Sequence, residues 1–124
     1  MSYYFVLTLI LCIVAYVWHR NNKFKNCRPR FDGKVILITG ASSGMGEEMA
    51  KQMSKLGPAK IILAARRVEE LERVKREIGG DPTKIQVWQM DYSNPTKCLA
   101  EAEKFSATLD RLDVLVNNGG VSQR

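Results

Sequence analysis

Apolar positions along the chain follow three patterns. Residues 2–18, SYYFVLTLILCIVAYVW, run without a charge and are dominated by Leu, Ile, Val and aromatics. Shorter unbroken apolar runs at Lys34–Thr39 (with VILI at its centre), Ile61–Ala65 and Val114–Val116 predict strands buried on both faces. Between them apolar residues recur at helical spacing. Met45, Met49, Met53 and Leu56 mark a helix over 44–56, a stripe read as core packing. Val68, Leu71, Val74 and Ile78 share one face of a helix over 67–78, with Glu69, Glu70 and Glu72 early and Arg73, Lys75 and Arg76 late, as the macrodipole favours. Gly79 and Gly80 end it. Ile85–Met90 alternates apolar residues with Gln86 and Gln89, the weaker pattern of an edge strand. Pro95 follows the cap candidates Ser93 and Asn94, and Leu99, Ala102, Phe105 and Leu109 form the last stripe. The predicted order is β-α-β-α-β-α-β, with connections long enough for right-handed parallel crossovers. The fold class is therefore α/β, the first half (strands 1–4) of a Rossmann-type doubly wound parallel sheet, in order 3-2-1-4, preceded by an N-terminal membrane-anchor helix.

As a helix, residues 2–18 would cover roughly 25 Å, near the lower limit for the hydrocarbon core of a bilayer. Tyr3, Tyr4, Tyr16 and Trp18 bracket the run as interfacial aromatics do. A cleavable signal peptide is the main rival and a buried core helix a lesser one. Against the former, only the amino terminus precedes the run as a basic group, and Tyr16, Val17 and Trp18 are poor neighbours for cleavage. The chain divides into an anchor (1–19), a basic juxtamembrane linker (20–33) and a partial Rossmann-type domain (34–124).

Charge sharpens this division. The formal net charge is +6, but residues 1–31 hold Arg20, Lys23, Lys25, Arg28 and Arg30 and no acid. The remainder is nearly balanced, so the basic character marks a juxtamembrane cluster and not a nucleic-acid face. Such a cluster favours the cytosolic side and attracts anionic headgroups; a solvated flank without a lipid partner is the plainer reading. Cys12, Cys27 and Cys98 show neither disulfide nor metal spacing, and with a single His a zinc site is not expected.

The candidate chemistry lies where the first strand meets its helix. Thr39–Gly46 reads TGASSGMG, and Gly40, Gly44 and Gly46 leave room for backbone to approach a pyrophosphate at a helix N-terminus. A Gly-rich turn is weak evidence alone; in the first βαβ unit it points to a dinucleotide. An NAD site wants an acid at the end of the second strand, yet that strand ends Ala64-Ala65-Arg66-Arg67. Guanidinium groups there suit a 2′-phosphate, with Arg66 the expected contact and Arg67 either a second contact or a solvated first-turn residue. Asp91 ends the third strand, where it either meets the adenine amino group or serves the following helix start.

TGASSGMG, Asp91 and the Asn117-Asn118-Gly119-Gly120 run together resemble the short-chain dehydrogenase/reductase family over residues 34–124, with Gly119 standing where Ala is usual. With ILAARR, NNGGVSQR and the N-terminal apolar run, the chain is similar to a membrane-anchored group within it. The resemblance implies cofactor contacts at Thr39, Gly40, Ser42, Ser43, Gly44, Met45, Gly46, Arg66, Arg67, Asp91, Tyr92, Asn118 and Gly119. It implies NADP(H), reduction of carbonyls or oxidation of alcohols on steroids, retinoids or xenobiotics, and a possible homodimer of the full-length enzyme. It also implies a place at the endoplasmic reticulum membrane, where related reductases face either side. The family's Tyr-x-x-x-Lys is not found: Tyr3, Tyr4, Tyr16 and Tyr92 have Leu7, Thr8, Arg20 and Thr96 four places on. No residue is therefore assigned a catalytic role, and the expected chain is an N-terminal part of an oxidoreductase. A non-catalytic nucleotide-binding or interaction module is the alternative. Consistent with a part, Val114–Val116 reads as a central strand that wants a further neighbour.

Overall fold

The computed structural model describes residues 2–26 and 30–120. Helix α1 covers Ser2–Asn26, and the α/β domain follows as β1 (Val35–Thr39), α2 (Gly44–Ser54), β2 (Lys60–Ala65), α3 (Val68–Ile78), a 3₁₀ turn (Pro82–Lys84), β3 (Ile85–Gln89), α4 (Pro95–Ser106) and β4 (Val114–Val116). The four strands form one parallel sheet in the order β3-β2-β1-β4. This is the expected half-Rossmann order, and it sets the carboxyl ends of β1 and β2 side by side, with Thr39 level with Ala64. Cys27 and three basic-linker positions, among them Arg28, together with residues 121–124, lie outside what is described or have undescribed side chains.

The central strands earn their place by composition. Ile36, Ile38, Ile61, Ile62 and Leu63 are essentially inaccessible to water, as a strand covered on both faces requires. One face packs α2 and α3, through Ala50, Leu71 and Val74, onto Ile36, Ile38, Ile61 and Leu63. On the other face Leu37, Ile62, Ala64 and Met90 meet Trp88, Cys98, Phe105 and Leu109. There the ring of Phe105 on α4 stacks on Trp88 of β3 with centroids 4.2 Å apart and planes nearly parallel. Helix ends follow local chemistry. The Asn94 side chain accepts the Lys97 amide at 3.0 Å with Pro95 in the first turn, and Gly79 closes α3 with φ +67°.

Three expectations need correction. Met45 is 76% exposed and takes no part in the core; α2 buries Gly46 and Ala50 instead. Small residues let the helix axis come close to the sheet, and the long Met side chains are pushed to the flanks, Met53 reaching the core's margin. In α4 Leu99 is exposed, and Cys98 with Phe105 carries the packing face, one position round the helix, with Leu109 beyond its end joining them. Finally β4, at the sheet edge beside β1 as the 3-2-1-4 order predicts, is not covered on both faces. Val114 and Val116 pack against the α2–α3 side, while Leu115 on the other face is half exposed. Among the described residues nothing pairs with the outer side of β4.

Helix α1 forms over the predicted apolar run and continues to Asn26. Val6, Leu7, Leu9, Ile10, Leu11, Ile13, Val14 and Val17 are all exposed. Among the described residues, however, no helix is long and apolar enough to cross a membrane.

Candidate functional site

The loop after β1 turns on Gly40 and Gly44, whose φ angles of +66° and +60° lie in the left-handed region that side chains avoid. Space is equally restrictive. A Cβ on Gly40 would stand 2.8 Å from the Cα of Gly119, so the loops after β1 and β4 touch backbone to backbone. Gly46, in the first turn of α2, is closed in by the Gly40 carbonyl and the Asn118 side chain. Ser43 occupies the helix N-cap in extended conformation, and its side chain makes no cap hydrogen bond. The Ser43 side chain thus leaves the first-turn amides of α2 uncapped, which suits an anion at the positive end of the helix.

Thr39 joins the two loops. Its buried hydroxyl donates to the Val116 carbonyl at 3.2 Å and accepts from the amides of Asn118 and Gly119 at 3.0 and 2.9 Å. That uses the whole hydrogen-bonding capacity of a hydroxyl. The Asn118 side chain donates back to the carbonyls of Thr39 and Gly40 at 3.3 and 3.4 Å. Thr39 and Asn118 therefore shape the site from behind.

In front of these loops lies a cleft of about 370 Å³ lined by Gly40, Ser42, Arg66, Arg67, Asp91, Tyr92 and Gly119, with Ala65, Met90, Ser93 and Gly120. Seven of the thirteen predicted residues thus share one cavity. Thr39, Gly46 and Asn118 back its wall, while Ser43, Gly44 and the exposed Met45 do not line it. Sequence reading missed Ala65, Met90, Ser93 and Gly120. Each adjoins a predicted residue, and none carries a motif of its own that marks it.

Electrostatics divide the cleft. Among the described residues neither Arg66 nor Arg67 makes a side-chain hydrogen bond or ion pair, and both side chains are exposed at the end of β2. Asp91 accepts the Ser93 amide at 3.0 Å. That bond, joined by the Ser93 hydroxyl and the charge of Arg66, holds its carboxyl below the ordinary range, so it is a carboxylate at neutral pH. Asp91 accordingly serves the following turn and faces the cleft as well. Among the described residues no cluster of His, Cys, Asp and Glu could hold a metal.

The short chain dehydrogenase family model matches residues 34–124. The chain belongs to this family. Human dehydrogenase/reductase SDR family member 7 is 49% identical over 103 residues, covering 78% of this chain and 30% of the relative. A metagenomic short-chain oxidoreductase solved in complex with NADP superposes with a TM-score of 0.63 at 39% identity, over 73% of this chain and 41% of that one. A short-chain dehydrogenase/reductase from Burkholderia phymatum in complex with NAD gives a TM-score of 0.61 at 32% identity, over 76% and 33% of the two chains. The chain spans about a third of the length of the curated relatives it matches. In this family the cleft is a nicotinamide-cofactor site, and the residues present fit that group: a helix N-terminus without a side-chain cap from Ser43, a Gly-lined approach and two exposed guanidinium groups.

Proposed function

We propose that the chain is the cofactor-binding part of an NADP(H)-dependent oxidoreductase acting on carbonyl or alcohol groups of lipophilic substrates, of the steroid, retinoid or xenobiotic class. The observation that carries the choice of cofactor is the pair of guanidinium groups, Arg66 and Arg67, without a side-chain hydrogen bond or ion pair among the described residues, at the strand end where an NAD site would present an acid. A 2′-phosphate offers them charge-assisted, bidentate hydrogen bonds; a bare ribose hydroxyl does not. The loop amides and the α2 N-terminus would hold the pyrophosphate, Asp91 and Tyr92 the adenine, and Asn118 and Gly119 the nicotinamide-side ribose. When bound, the cofactor supplies a hydride. The residues of the cleft would bind and orient the cofactor and exclude water, and none is assigned a catalytic role.

Binding of NADPH and NADH to the full chain tests this reading, together with Arg66→Asp. NADPH should bind more tightly, and the substitution should reverse or abolish that preference. Equal affinities in both proteins would remove Arg66 from the phosphate site. A chain that binds NADPH, in an assembly that never transfers hydride to any carbonyl, would instead be a nucleotide-binding module.

We also propose that α1 attaches the domain to a lipid surface, at the endoplasmic reticulum with the domain on the cytosolic side. Its exposed apolar side chains on every face would otherwise meet water, and basic residues follow them. Flotation with vesicles tests it: the chain should rise with lipid and a form lacking residues 2–18 should stay behind. Equal behaviour of the two would locate attachment elsewhere.

A further inference from the structure

The two anion subsites of the cleft stand on different elements. The pyrophosphate end is built on the loop into α2, and the 2′-phosphate end on Arg66 and Arg67 at the entry to α3. Their separation depends on how α2 and α3 are held together. Below the cleft, five charged side chains from the two helices are interlocked. Arg73 of α3 grips Glu47 of α2 through both terminal nitrogens, at 3.1 and 2.9 Å, and also donates to Glu70 at 2.9 Å and Glu77 at 2.6 Å. Lys51 of α2 closes the ring, 2.6 Å from both Glu47 and Glu77. The same Arg73 nitrogen that bonds Glu47 lies 3.4 Å from the carbonyl of Ser42, on the phosphate loop itself.

Two consequences follow from this geometry. Glu47 sits in the first turn of the helix that would receive the pyrophosphate. An unpaired carboxylate there would oppose an anion, and two cations neutralise it and hold it aside. Single ion pairs this exposed contribute little to stability, but a bidentate, multiply bonded network fixes geometry. Its position between the helices, with one arm on the loop, makes it a spacer.

We infer that Arg73 is a positioning residue that sets the spacing between the pyrophosphate and 2′-phosphate subsites, so that a whole dinucleotide engages both at once. The inference rests on the dinucleotide reading of the cleft. A ligand that spans two subsites gains from their correct separation, whereas a ligand using only one does not sense it. NADPH spans both; adenosine 2′-monophosphate reaches only the Arg66–Arg67 end.

The test compares these two ligands by calorimetry on the full chain and on Arg73→Gln, Arg73→Lys and Glu77→Gln. Arg73→Gln should weaken NADPH about tenfold while leaving adenosine 2′-monophosphate within about twofold. Arg73→Lys should recover part of the loss, because it keeps the charge but not the fork. Glu77→Gln, which removes an outer partner without touching the loop, should show a smaller loss in the same direction and decides the matter if Arg73→Gln does not fold. Equal weakening of both ligands would reduce Arg73 to a general fold contact, and unchanged NADPH affinity would overturn the inference outright. If the unaltered chain binds neither ligand, the dinucleotide reading itself fails; if it binds both and the variants match it, only the role of Arg73 fails.

Discussion

Replacing Gly46 by Ala sets two effects of opposite sign against each other. Gly46 lies inside α2, where Ala is favoured over Gly by about 0.8–1.0 kcal/mol on helix propensity alone. An alanine methyl, however, would fall onto the Gly40 carbonyl oxygen, with the Asn118 amide nitrogen 2.5 Å and the Gly40 carbonyl carbon 2.8 Å away. Two of these three atoms are backbone of a loop pinned by Thr39 and Gly119, so no rotamer change relieves the overlap. Overpacking of a filled site costs about 1–3 kcal/mol, and the rigid wall argues for the upper end. Subtracting the propensity gain leaves a net loss of about 2 kcal/mol. For a domain of this size that lowers the melting temperature by about 8–16 °C. Gly120→Ala is the control: its added methyl meets nothing within 4 Å, and its φ is not positive. Thermal melts of the two variants followed by far-UV circular dichroism separate the effects. A Gly46→Ala protein that melts at or above the unaltered chain would refute the claim that helix, Gly loop and Asn118 are in direct contact.

Thr39→Val should cost about 2–4 kcal/mol, because the Asn118 and Gly119 amides both lose their acceptor, whereas Thr39→Ser keeps the hydroxyl and should cost about 1 kcal/mol or less. Urea midpoints give the comparison, and Val equal to Ser would show that water replaces the hydroxyl. Acid should also act through Glu47, whose carboxyl is lowered from 4.5 to about 2 by hydrogen bonds from Arg73 and then Lys51. A depressed carboxyl contributes stability above its unfolded pKa and loses it as pH falls toward the folded value. The urea midpoint should therefore drop between about pH 4.5 and 2, and Glu47→Gln should flatten that part of the profile. An unchanged slope would mean that the ion-pair network contributes nothing measurable. Gly119→Ala places a methyl 2.9 Å from the Tyr92 ring and should weaken NADPH binding by moving that ring into the cleft. A Gly119→Ala chain that binds NADPH as tightly as the unaltered one would show that the ring yields without closing the cleft.

Much of this molecule was legible in its sequence because strands buried on both faces must be apolar throughout. VILI and IILAA carry that signature, and the Gly loop between strand and helix has few other uses. What sequence left open was which side of each helix faces inward. Periodicity admitted Met45 and Leu99, but distance to the sheet selected Gly46 with Ala50 on α2 and Cys98 with Phe105 on α4. The burial of β4 was misjudged for a related reason: Val and Leu describe what a strand can pack against, not what is there to pack. Arg66, Arg67 and Asp91 were readable from their places at strand ends. Arg73 was not, since its partner Glu47 lies 26 positions away and helical charge patterns of this kind usually mean solvent.

The stacked pair of Trp88 and Phe105 gives this chain an optical handle. It has two tryptophans, one in each part: Trp18 is exposed on α1, and Trp88 is half buried under α4. Transfer of α1 from water to lipid should shift the emission of Trp18 to the blue, whereas loosening of α4 should shift that of Trp88 to the red. Two single-tryptophan variants, measured side by side, would thus report attachment and domain integrity as shifts of opposite colour.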